Sequence, residues 1–115
     1  MKSVFIVEDE VIISVFIKMY LGKKGYNVLG TSTNGHKALD VILEKKPDVV
    51  IIDMTLKGEI NGIEVANKIY ELYHPKIIFL TGMEENMLRS VKFEYSYLRK
   101  PFDNKQLLKA LQFSL

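Results

Sequence analysis

The 115 residues contain no cysteine. No disulfide framework, thiolate nucleophile or cysteine-based zinc site is available to them. Histidine is scarce. His36 and His74 are the two present and lie far apart, which argues against a structural zinc site. A long hydrophobic run is lacking too. The longest, Val11 to Ile17, is broken by Ser14 and falls far short of the roughly 20 residues that cross a bilayer. The first apolar run, Val4 to Val7, meets Glu8-Asp9-Glu10 at once, where a secretion signal would need a longer apolar stretch and a small-residue cleavage site. A cytoplasmic protein with no membrane partner is the expectation. A strong basic excess is also missing: 16 Lys and Arg stand against 14 Asp and Glu, a net charge of +2. Nucleic-acid-binding domains usually carry a strong, clustered excess, so direct nucleic-acid binding is not expected.

The hydrophobic and charged fractions, 48% and 26%, are those of an ordinary globular chain, and the length suits one domain spanning 1–115. Short apolar runs recur at Val4–Val7, Val49–Ile52 and Ile77–Leu80. Each is β-branched or aromatic and does not alternate with polar residues, the pattern of a strand buried on both faces. Residues 27–31 and 96–98 are more polar and suit the two edges of a sheet. Helical spacing fills the gaps. Ile13, Phe16, Ile17, Tyr20 and Leu21 form one stripe between Glu10 and Lys24, closed by Gly25. Asn34 opens a second helix (Ala38, Leu39, Ile42, Leu43) and Asn61-Gly62 a third (Ile63, Ala66, Ile69, Tyr70). A short helix is expected around Glu84 to Val91, and Asp103 begins the last, with Leu107, Leu108 and Leu111 on one face. The order βαβαβαβαβα predicts an α/β, doubly wound domain with a parallel five-stranded sheet and right-handed crossovers.

Ligands of open α/β sheets bind outside the carboxyl ends of the strands. The residues at those ends are therefore the informative ones: Glu8-Asp9-Glu10, Asp53, Thr81-Gly82, and Lys100-Pro101. If the central strands are neighbours, Glu8, Asp9 and Asp53 converge on one crevice, rimmed by Thr81 and Lys100. Two carboxylates about 4 Å apart repel by about 4 kcal/mol at an effective dielectric of 20, so such a group needs a proton or a cation. Oxygen ligands without His or Cys favour Mg²⁺, or Mn²⁺ in its place. A carboxylate beside a divalent cation, a lysine and a hydroxyl suits a phosphoryl group, with Asp53 as the nucleophile. Taken singly, each element has a plainer explanation. Acidic residues suit any helix N-terminus, Thr81 suits a helix cap, and Lys100 suits a surface. The conjunction, each after the correct strand, reverses that weighting.

From Val4 to about Phe113 the chain resembles the receiver domain of two-component response regulators, the chemotaxis-type phosphoacceptor domain. The resemblance rests on Glu8 and Asp9, Asp53, Thr81, and Lys100 followed by Pro101. It implies a (βα)5 flavodoxin-like fold with strand order 2-1-3-4-5. It also implies phosphoryl transfer to Asp53 from a histidine kinase or histidine phosphotransfer protein. Asp9 and Asp53 would ligate Mg²⁺ directly, Glu8 more loosely, and the backbone carbonyl of Thr55 would complete the protein ligands. Tyr97 matches the aromatic switch that turns inward on phosphorylation, while Thr55 and Met83 match positions that tune the lifetime of the phosphorylated state. Two departures stand out. Lys57 occupies a frequent proline position, and Phe93-Glu94-Tyr95 replaces the usual small-residue turn before the fifth strand.

Two other readings bear on the same residues: a phosphorylation-independent interaction module, and a small aspartate-nucleophile phosphohydrolase. The complete acid, hydroxyl and lysine set argues against the first. Thr55, where the hydrolases place a second acid, argues against the second. A turnover enzyme is thus not expected. Five βα units consume the length, so no output domain is expected within this chain, and a response would pass through contact with another molecule. The small excess of positive charge falls entirely within residues 84–115, a mildly basic partner surface; a homodimer through the last βα unit is a separate expectation. On the first helix Ser14, Lys18 and Gly22 are read as the polar side, with Val11 and Val15 extending apolar surface toward Ile12 and Met19.

Overall fold

The computed structural model describes residues 2–82 and 85–112. Five strands, β1 (Ser3–Val7), β2 (Asn27–Ser32), β3 (Val49–Asp53), β4 (Lys76–Thr81) and β5 (Ser96–Arg99), form one sheet in the order β2-β1-β3-β4-β5. All four pairings are parallel. Four α-helices alternate with them: α1 (Val11–Lys23), α2 (Gly35–Lys45), α3 (Gly62–Leu72) and α4 (Asn104–Gln112).

Side chains of a strand point alternately to its two faces, and each face of this sheet has its own core. Phe5, Val7, Val50, Ile52, Ile77 and Phe79 pack with Ala38 and Ile42 of α2 and with Val65, Ala66 and Ile69 of α3. Val4, Ile6, Val49, Ile51, Ile78 and Leu80 pack with Ile17 and Leu21 of α1 and with Leu107 and Leu111 of α4. Every second residue serves one layer and its neighbours serve the other, so the central strands read as unbroken apolar runs. Full burial of each such Ile, Leu or Phe contributes about 1.5–3 kcal/mol.

Local chemistry sets the helix boundaries. Asn34 Oδ1 accepts from Lys37 N at 3.1 Å. At α3, Asn61 Oδ1 accepts from Glu64 N at 2.9 Å while Glu64 Oε1 accepts from Asn61 N at 3.0 Å, a reciprocal capping box. Asp103 and Gln106 exchange the same pair of bonds, both 2.9 Å, at the start of α4. Gly25, at φ +91°, ends α1: its N–H reaches the Gly22 carbonyl and that of Tyr26 reaches Leu21.

Two expectations fail. No α-helix forms between β4 and β5 among the described residues; Glu85–Ser90 is a single 3₁₀ segment instead. Leu88 alone of its apolar residues is buried in the core, and Met87 is exposed. The chain beyond is held by rings rather than by a helix: Phe93 stacks on Tyr70 at 4.3 Å, and Tyr95 meets Phe79 edge-on at 5.6 Å. On α1, Ser14 is buried rather than polar-facing, and its hydroxyl donates to the Val11 carbonyl at 2.9 Å. The apolar surface expected there is present, with Val11, Ile12, Val15 and Met19 exposed, Ile12 at 86%; Phe16, read as part of the core-facing stripe, is exposed as well. Among the described residues no helix is long and apolar enough to cross a membrane.

Candidate functional site

The parallel register brings the strand ends together. β3 pairs with β4 so that Asp53 lies beside Leu80, and β4 pairs with β5 so that Thr81 lies beside Arg99. The ladder continues one step past the sheet, where Lys100 N donates to the Thr81 carbonyl at 2.6 Å. Beside β3, β1 ends at Val7 and delivers Glu8 and Asp9. The Lys100–Pro101 peptide is cis.

Glu8, Asp9 and Asp53 each place a carboxylate oxygen within 4.8 Å of the others. Glu8 is fully buried and Asp53 is 4% exposed. Asp53 Oδ1 accepts from the backbone N–H of Thr55 at 3.0 Å and from its hydroxyl at 3.1 Å. The other oxygen, Oδ2, accepts from Lys100 Nζ at 3.3 Å. Asp9 Oδ2 accepts from Lys57 N at 3.3 Å, tying the β3–α3 loop to the acidic crevice. Lys100 Nζ also lies 2.7 Å from Glu8 Oε1 and 2.9 Å from Glu10 Oε2.

One ammonium cannot neutralise this group, and the acids titrate apart. Burial, and next the neighbouring Asp53, push the Glu8 carboxyl up to about 8. Burial acts on Asp53 in the same direction. It is outweighed by hydrogen bonding with Glu8, the Thr55 N–H and the Lys100 charge, which together hold Asp53 below the ordinary carboxylate range. Burial would lower Lys100, but its bonds to Glu8 and Glu10 and the Asp53 charge raise it instead. Burial and pairing therefore push the two acids apart, Glu8 toward its protonated form and Asp53 toward its ionised form.

The donor set fits a hard divalent cation: three carboxylates, with neither nitrogen nor sulfur. A second observation concerns an anion. The Thr81 hydroxyl is fully buried and has no hydrogen-bond partner among the described residues. A buried hydroxyl left unpaired costs about 1–3 kcal/mol, and an oxygen-rich ligand in the crevice would supply the partner.

Of the residues expected at the site, Glu8, Asp9, Asp53 and Lys100 are brought into contact, Thr81 lies on the adjoining strand, and Thr55 bonds to Asp53. Tyr97 does not join them: its side chain is 51% exposed on β5. Met83 lies outside the described residues. His36 and His74 are exposed, His36 pairing with Glu59 at 3.5 Å and His74 stacking on Tyr70. Glu10 is the residue that sequence reasoning passed over. It belongs to the acidic triplet, but nothing in the spacing of residues 10 and 100 signals that the two side chains meet.

The family model for the response regulator receiver domain matches residues 4–112. Solved structures agree. The signal receiver domain of a modulated diguanylate cyclase from Desulfovibrio desulfuricans is 29% identical, with a TM-score of 0.88 over 97% of this chain and 91% of that one. The receiver domain of the PhyR response regulator from Erythrobacter litoralis is 25% identical, with a TM-score of 0.84 over 96% and 86%. A variant of the anti-anti-sigma factor PhyR from Bartonella quintana is 30% identical, with a TM-score of 0.81 over 96% of this chain and 46% of that longer one. Sheet order, family match and structural likeness agree, and this chain belongs to the response regulator receiver domains of two-component signalling.

Proposed function

We propose that the chain is a phosphoacceptor and that Asp53 takes the phosphoryl group. Receiver domains interact with histidine kinases and phosphotransfer proteins and bind Mg²⁺ at an acidic pocket. The observation that carries the reading is the setting of Asp53: nearly buried, 3.3 Å from the Lys100 ammonium, and sharing its crevice with two further carboxylates.

Asp9 and Asp53 would hold Mg²⁺, with Glu8 more loosely bound and the Thr55 carbonyl as a further ligand. The ion supplies positive charge against the transferring oxygens. The protein's own part is orientation. The Thr55 N–H and hydroxyl fix Asp53 Oδ1. A carboxylate oxygen of Asp53 attacks phosphorus, the P–N bond to the donor imidazole breaks, and its electron pair returns to the ring nitrogen. Lys100 and the Thr81 hydroxyl then bond to phosphoryl oxygens. Tyr97 moves inward from its exposed place to fill space beside Thr81, shifting a two-state equilibrium. The exposed apolar face of α1 is the docking surface for the phosphodonor. Thr55 brings no second acid for repeated hydrolysis, so the protein is a switch and not a turnover enzyme. It acts in the cytoplasm, through contact with another molecule or a second copy meeting it along β5 and α4.

Acetyl phosphate with Mg²⁺, read by intact mass, tests this. One phosphoryl group should add to the wild type and be lost in chelator. Equal labelling of the Asp53→Asn variant would overturn the assignment.

A further inference from the structure

An ammonium offers three N–H donors and no more. Lys100 Nζ donates hydrogen bonds to Glu10 at 2.9 Å and Asp53 at 3.3 Å, and Glu8 Oε1 stands 2.7 Å away without a hydrogen bond. A phosphoryl oxygen that bonds to Lys100 competes with these acids for its donors and its charge. The three differ greatly in what their release costs. The side chains of Glu8 and Asp53 are 0% and 6% exposed, and that of Glu10 is 61% exposed. A buried carboxylate that loses its partner keeps its full desolvation penalty. An exposed one is rehydrated at once, and its ion pair was worth little.

Glu10 also stands where its side chain has an alternative it does not take. It is the N-cap of α1, with extended backbone, yet it makes no side-chain capping bond. The carboxylate reaches instead across to the loop after β5, 90 residues away.

We propose that Glu10 restrains phosphoryl transfer: it occupies the Lys100 ammonium at the mouth of the crevice and is the carboxylate that yields when the phosphoryl group arrives. This rests on Asp53 being the acceptor. Glu10 thus competes with the incoming phosphoryl oxygens for one cation. Its charge also faces small anionic donors as they enter, so it holds down the rate of uptake from them.

The test is the second-order rate of labelling by acetyl phosphate with saturating Mg²⁺ in the wild type, Glu10→Gln and Glu10→Asp. The Glu10 backbone carbonyl still accepts from Ile13 and Ser14 in every variant, so α1 keeps its start. At low salt Glu10→Gln should label about three- to fivefold faster, the size of one exposed ion pair. That advantage should shrink toward unity near 1 M KCl, where exposed charges are screened beyond about 3 Å. Glu10→Asp should stay close to the wild type. A Glu10→Gln rate equal to or below wild type at low salt would overturn the proposal. So would an advantage that persists unchanged at high salt, since altered packing is not screened. Wild type that takes no label at all would remove the acceptor reading itself, and this inference with it.

Discussion

Gly62 is seated directly on the backbone of Asp53. A β-carbon at position 62 would run into the Asp53 carbonyl oxygen and stand 2.7 Å from Met54 Cα. Backbone cannot swing aside as a side-chain tip can, so Gly62→Ala must push α3 away from the end of β3. The expected loss is about 1–3 kcal/mol in urea unfolding, with slower acetyl-phosphate labelling as Asp53 shifts. Gly22→Ala, with open space around the added carbon, serves as the control and should leave labelling unchanged.

Lys100→Met should act in two directions. Without metal it leaves Glu8 and Asp53 facing each other with no cation, costing about 2 kcal/mol in unfolding free energy. With the competing ammonium gone, Mg²⁺ should bind more tightly than to the wild type. Calorimetric titration measures the second effect and chelator-treated unfolding the first.

The metal-free protein should lose stability as pH rises from about 5 to 8. The folded Glu8 carboxyl titrates near 8, against an ordinary value of 4.5. The folded state therefore binds a proton that the unfolded state has released, and this contribution is full below 4.5 and gone above 8. Urea midpoints in chelator should fall across that window, and Glu8→Gln, which cannot ionise, should flatten the decline. Asp53 has the opposite sign: its folded value is lowered, so its contribution is present above the ordinary carboxylate range and is lost as pH falls through the folded value.

Mg²⁺ should reverse the neutral-pH trend, because a carboxylate ligand binds best when ionised. At a hundredfold excess over its dissociation constant the ion should add about 2.7 kcal/mol of stability. The gain should be larger at pH 8 than at pH 6, and a proton should be released on binding. Asp9→Asn should remove most of the thermal shift.

Much of this site can be read from residue order because it hangs on strand ends. β1, β3 and β4 announce themselves as unbroken apolar runs, and the residue that ends or follows each run must then fall at the crevice. Asp53 and Thr81 are fixed in that way. Helix starts are equally legible where a short polar side chain closes a cap, as at Asn34, Asn61 and Asp103. The failures have a common source. Ser14 reads as polar but satisfies its own hydroxyl on the Val11 carbonyl, so burial costs it little. The segment before β5 has too few apolar positions to bury a helix, and Phe93 and Tyr95 anchor it to rings on α3 and β4. The contact of Glu10 with Lys100 is tertiary, and no local period encodes it.

The hydrogen-bond ladder that carries Asp53, Thr81 and Lys100 has a consequence for how this chain can change length. Their positions depend on the register of β3, β4 and β5, and side chains alternate with a period of two. Deleting one residue within β4 would bring Gly82, and inserting one would bring Leu80, to the place of Thr81 and turn the hydroxyl to the other layer. Connections at the amino ends of the strands, such as Lys46 to Asp48 before β3, carry none of the crevice residues. A map of tolerated insertions and deletions along this chain would trace the outline of the crevice without a single substitution being made.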